Sequence, residues 1–190
     1  MKNRFLILVV VMATLFACNS DSMTSDLNES AEKRSDVPFK VKKGSGTYEF
    51  GPGIQNSIDD CTGPLRLNAT GEVNISHLGK SSVLEEWCWS GANDDLGTRT
   101  VTFTAANGDV LTGEITDIDY FDPNNPFIFR ETVKVTNDGT GRFEDASGTI
   151  TQIVEISQPI PEDGVGPFPL IGTFTYTAEG TISYKKIANE

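Results

Sequence analysis

Glu131 interrupts a stripe that is otherwise apolar, in which Phe127, Phe129, Val133 and Val135 recur at every second position on either side of it. In a strand those five side chains share one face. A carboxylate on a buried face must find a donor or take up a proton, and either outcome moves its pKa, which is the condition for general acid or base chemistry. Gln152 stands the same way between Ile150 and Val154, and Tyr176 between Phe174 and Ala178. Both types can orient a substrate oxygen. His77, the single histidine, closes the alternating series Leu65, Leu67, Ala69, Gly71, Val73 and Ile75. Glu131 is therefore the candidate catalytic residue, and Glu131, Gln152, Tyr176 and His77 are the candidate ligand-binding set. A second reading stays open, in which Glu131 is satisfied in an internal network with a Tyr, Gln or Arg142, or is turned outward by a bulge, and His77 is a hydrogen-bonded turn residue.

Other chemistry is less well supported. Asp117, Asp119 and Asp122 precede Pro123-Asn124-Asn125, but they lack the sharp-turn glycine and closing glutamate of a calcium loop and read as Asx-turn residues at a strand end, as do Asp59 and Asp60. Neither Cys61 nor Cys88 has a CxxC partner or a histidine at ligand spacing, so no metal is expected. There is no phosphate loop, dinucleotide fingerprint or nucleophile elbow, and no cofactor is expected. Trp87 and Trp89 alternate with Cys88 and share the face opposite it, either as barrel-wall packing or as an aromatic platform for a sugar or lipid.

The elements that must position these groups are strands. Thr, Val, Ile, Phe and Tyr alternate in short runs separated by Gly, Pro, Asn and Asp, and no helix is predicted. Eight strands are expected, roughly Phe39–Phe50, Leu65–His77, Lys80–Trp89, Thr98–Thr104, Asp109–Asp119, Phe127–Thr136, Ser147–Ser157 and Ile171–Lys185. Asn107-Gly108 between two alternating runs is a hairpin signal, and His77-Leu78-Gly79-Lys80 and Asn137-Asp138-Gly139 mark further turns. Pro159 to Pro169 is a longer Pro/Gly loop. Sequential strands joined in this way predict an all-β fold, an eight-stranded antiparallel up-and-down barrel, with a two-sheet sandwich as the alternative.

Four motifs in order, His77-Leu78-Gly79-Lys80, Ala105-Ala106-Asn107-Gly108-Asp109, Gly139-Thr140-Gly141-Arg142-Phe143-Glu144-Asp145-Ala146-Ser147-Gly148 and Gly180-Thr181-Ile182-Ser183-Tyr184, resemble those of the bacterial relatives of the allene oxide cyclase and dirigent barrels. The resemblance spans about residues 44 to 185. It implies an eight-stranded barrel with an apolar interior, in which plant members guide cyclisation or coupling of small lipophilic molecules.

The start of the chain carries a different signal. Lys2 and Arg4 precede an apolar run from Phe5 to Leu15, and Leu15-Phe16-Ala17-Cys18 resembles the lipobox of bacterial lipoproteins. The run is too short to span a bilayer. The resemblance implies cleavage before Cys18 and its lipidation, and Asn19 in place of the aspartate of inner-membrane retention implies the outer membrane, with the periplasmic or surface face left open. An ordinary secretory signal is the alternative. Residues 1–17 are thus read as signal peptide, 18–43 as an acidic disordered tether and 44–187 as the barrel domain, with Asn19 to Pro38 almost free of apolar side chains.

Removing residues 1–17 moves the formal charge from −12 to −14. Such a surface serves solubility and disfavours nucleic acid or a polybasic membrane contact. With Cys18 lipidated, Cys61 and Cys88 remain as an even pair in an oxidising compartment, which predicts a disulfide, with two buried thiols as the alternative. Three functional readings follow: a lipid-anchored module that binds a small apolar or amphipathic molecule, a cyclase or isomerase acting on a small lipophilic substrate inside the barrel, and a structural envelope interaction module. No oligomeric state is indicated.

Overall fold

The computed structural model describes residues 34–59, 61–89, 97–121, 124–160 and 166–185. Cys18, most of the tether, Asp60, Asp122 and the centre of the Pro159–Pro169 loop lie outside the described residues. The described chain is all-β. Its strands are β1 (Arg34–Gly51), β2 (Leu65–Ile75), β3 (Gly79–Trp89), β4 (Thr98–Ala105), β5 (Val110–Tyr120), β6 (Ile128–Val135), β7 (Ser147–Ile156) and β8 (Leu170–Lys185), with one short 3-10 turn at Gly141–Phe143.

Each strand pairs antiparallel with the next, and β1 pairs with β8 from Arg34↔Lys185 to Phe50↔Leu170, so the sheet closes as a barrel rather than splitting into a sandwich. Closure leaves no sheet edge unpaired. β1 begins at Arg34, five residues ahead of the expected Phe39, and residues 34–43, assigned above to the tether, lie inside it. Pairing with β8 outweighs the polar composition of that stretch, because each paired residue satisfies its backbone groups.

Two strands change the side they present. In β1, Phe39 and Val41 are buried at odd positions, whereas Gly44, Tyr48 and Phe50 are buried at even ones. A register shift between Val41 and Gly44 makes the switch and keeps Lys42 and Lys43 exposed. A second shift between Ile115 and Asp117 in β5 turns Ile118 toward the core and leaves Asp117 and Asp119 exposed. Asp119 then pairs with Arg130 at 3.3 Å.

The ends of the barrel differ. At the end with the β2–β3, β4–β5 and β6–β7 turns, aromatic rings fill the bore: Phe39 meets Phe103 with centroids 5.5 Å apart, and Phe143 meets Tyr184 at 5.1 Å. Ile150, Ile182 and Leu111 complete that packing at 0–1% exposure. Arg142 belongs to this end, 3.3 Å from Asp109, and is not the partner of Glu131.

On the outside of β2 and β3, the β1–β2 loop is held by Cys61–Cys88, with Cα atoms 5.4 Å apart. The Glu86 carboxylate accepts from the backbone N–H and hydroxyl of Ser57, and Arg66 donates to Asn56 at 2.6 Å. Cys88 and Glu86 thus face outward, and Trp87 faces in.

Candidate functional site

A cavity opens at the end with the β1–β2 and β7–β8 loops. Its wall is mostly apolar, including Leu67, Val83, Val154 and Ile156, with Ile160 and Phe174 toward the mouth. It encloses about 430 Å³ of atom-free space including the open mouth, of which about 30 Å³ admits the centre of a water molecule, so the bore is narrow. Three polar side chains interrupt the apolar wall deep inside: Glu85 from β3, Gln152 from β7 and Tyr176 from β8.

Glu131 is fully buried and lies directly across from Gln152 in the β6–β7 register. Gln152 donates from Nε2 to Glu131 Oε2 at 2.6 Å and lies 3.4 Å from Glu85 Oε2. Trp87 donates its indole N–H to Glu85 Oε1 at 2.7 Å, and the Arg99 guanidinium stacks 4.3 Å over the Trp87 ring. One interior network therefore joins β3, β4, β6 and β7.

Its charge state follows from the environment. Burial, and then the Glu85 charge, push the Glu131 carboxyl well above the usual carboxylate range, against the opposing Gln152 hydrogen bond and Arg99 charge. Burial also raises Glu85, to about 7, opposed by the Trp87 N–H, by Arg99 and by hydrogen bonds from Glu131 and Gln152. Glu131 Oε1 is buried without a hydrogen-bond partner, an environment that, like the raised pKa, favours the protonated carboxyl. Glu85 is part-exposed where it meets the cavity and ionises as pH rises through about 7.

The Tyr176 hydroxyl is buried without a hydrogen-bond partner. Burial and the Glu85 charge raise its pKa. Its ring lies over Gly44, where a Cβ would come within 2.2 Å of Tyr176 Cε1, so only glycine leaves room for it. Nearer the mouth, Tyr48 donates to the Gln158 carbonyl at 2.5 Å and ties the rim to the start of the β7–β8 loop.

The structure brings Glu131, Gln152 and Tyr176 together and leaves His77 apart. His77 is exposed in the β2–β3 turn with φ 68°, at the filled end, while Ile75 and Leu78 take the buried positions on either side. The inward series thus ends at Ile75, because the hairpin turn breaks the alternation. Phe127 is likewise 38% exposed, since β6 begins one residue later, at Ile128. Glu131 is inside as expected but lies behind the cavity wall, and Glu85 is the carboxyl that faces the space. Sequence reading passed over Glu85 and Arg99. The series Val83, Glu85, Trp87 carries the same signal that singled out Glu131. Trp89 stacks on Phe50 at 5.8 Å and belongs to the packing.

These features define a class by form: a closed eight-stranded barrel, filled at one end and holding at the other a narrow apolar cavity floored by Glu85, Gln152 and Tyr176, with Glu131 buried behind them. Comparison with family models, curated proteins and solved structures returned no match.

Proposed function

We propose that this chain is a lipid-anchored envelope protein whose barrel binds a small, mainly apolar molecule in the end-opening cavity. The carrying observation is the buried Tyr176 hydroxyl, which has no partner and shares an otherwise apolar cavity with Glu85 and Gln152. A buried hydroxyl without a partner costs stability, and a ligand oxygen would satisfy it. Leu15 to Cys18 and the polar stretch after them support the anchor, and the resemblance to allene oxide cyclase and dirigent barrels supports a lipophilic guest.

One observation favours a second reading, a cyclase or isomerase. Glu85, raised to about 7 beside a Glu131 carboxyl held well above the usual carboxylate range, could exchange a proton with a bound substrate near neutral pH.

Native mass spectrometry of protein purified from its own envelope tests the binding reading. A retained small molecule that is lost in Ile156→Trp, which narrows the cavity, is the expected result, and an empty barrel in both forms counts against it. For the anchor, Cys18→Ser should leave an unprocessed or membrane-released form. Retention of that variant in the outer membrane at the mature mass would refute the lipoprotein reading.

A further inference from the structure

We propose that the cavity selects an uncharged aliphatic alcohol, with the ligand hydroxyl donating to Glu85 and accepting from Tyr176, and that it rejects the carboxylate of equal chain length. This rests on the binding reading above and names the ligand class.

Three observations carry it. The first is the wall, because above the polar floor the lining includes Leu67, Val83, Val154 and Ile156, so the body of the guest must be apolar, and a narrow bore favours the slenderest such body, an unbranched chain. The second is the hydrogen-bond inventory of the floor. Trp87 occupies Glu85 Oε1, whereas Oε2 has the distant Gln152 amide at 3.4 Å and retains acceptor capacity. Tyr176 supplies the complementary donor. An alcohol, with one donor and acceptor lone pairs, matches both at once.

The third is charge. Around Glu85 stand Arg99 on β4, Glu131 on β6, Gln152 on β7 and Tyr176 on β8, with Trp87 beside it on β3. The Arg99 guanidinium favours the Glu85 carboxylate, so the floor already holds its negative charge before a ligand enters. A ligand carboxylate would add an uncompensated negative charge next to Glu85, and an ammonium, which has three donors and no acceptor, could not accept from Tyr176 and would leave its own surplus donors unpaired in the apolar wall. Either costs far more in an apolar cavity than a neutral hydroxyl does.

Titration calorimetry on the full chain with 1-decanol, decanoate and decylamine at about pH 8 tests this. Decanol should bind at least about tenfold more tightly than either charged analogue. Tyr176→Phe should weaken decanol by about tenfold with little change in melting temperature, and Glu85→Gln, which removes the facing charge, should narrow the gap between decanol and decanoate. In the wild type, lowering the pH through about 7 should narrow the same gap, a readout that needs no variant to fold. Equal or tighter binding of decanoate or decylamine, or decanol binding indifferent to Tyr176→Phe, would overturn the assignment. If none of the three binds while the envelope-purified protein retains another molecule, only the ligand class fails. If none binds and nothing is retained, the binding reading fails with it.

Discussion

At the filled end of the barrel, Phe39, Phe103, Phe143, Ile150 and Ile182 occupy the inward positions and meet one another at 0–1% exposure. Toward the open end the same alternation delivers Glu85, Gln152 and Tyr176 into a space that their neighbours leave unfilled. Backbone geometry is common to both halves, so the difference lies in side-chain volume and polarity alone. An eight-stranded barrel is just wide enough for side chains to fill it or for one slender guest to share it. The filled end supplies the burial that holds the barrel closed, which lets the other end carry polar groups that lower stability.

That contrast can be broken in three places. The largest effect should come from Phe103→Ala, which removes a ring from the filled end and should cost about 3–5 kcal/mol by denaturant titration. Tyr176→Phe at the open end should fall within about 1 kcal/mol of the wild type, because it deletes a buried hydroxyl that has no partner. Comparable losses at both positions would show that the open end contributes to stability as the filled end does.

Next in size is the outer clamp. Replacing Cys61 and Cys88 together by Ser should cost about 3 kcal/mol, since the bond closes a loop of 27 residues in sequence. The loss should be read as a lower melting temperature with cavity binding preserved, because Cys88 faces away from the bore. A simultaneous loss of binding would mean that the β1–β2 loop shapes the cavity.

The smallest effect is a slope. Glu131 and Glu85 titrate higher in the folded barrel than in the unfolded chain, so the native state binds more protons between the two sets of values. Their contribution is fully present below the ordinary carboxylate range and is lost as pH rises through about 7 for Glu85 and onward for Glu131. Thermal melts across that window should show stability falling as pH rises. The slope should flatten in the Glu85→Gln, Glu131→Gln double variant and persist in Phe103→Ala. An unchanged slope in the double variant would place its source outside the carboxyl pair.

The sequence by itself determined the all-β class, the eight strands in order and most of their ends, because period-two alternation and turn residues such as Asn107-Gly108 act over a few neighbouring residues. It also placed Glu131, Gln152 and Tyr176 inside, since each interrupts an apolar stripe. Tertiary structure decided the rest. Closure over a sandwich depends on β1 finding β8, the pairing that draws residues 34–43 into the sheet. The register shifts in β1 and β5 change which side faces in, a choice made by the pairing partner rather than by local pattern. The contents of the site were likewise set across the bore. Glu85 meets Gln152 across 67 residues of sequence, and its charge raises the pKa of Glu131 on yet another strand. The charge on a buried carboxyl is fixed by whatever stands within a few ångströms of it, and only the closed barrel brings those groups together.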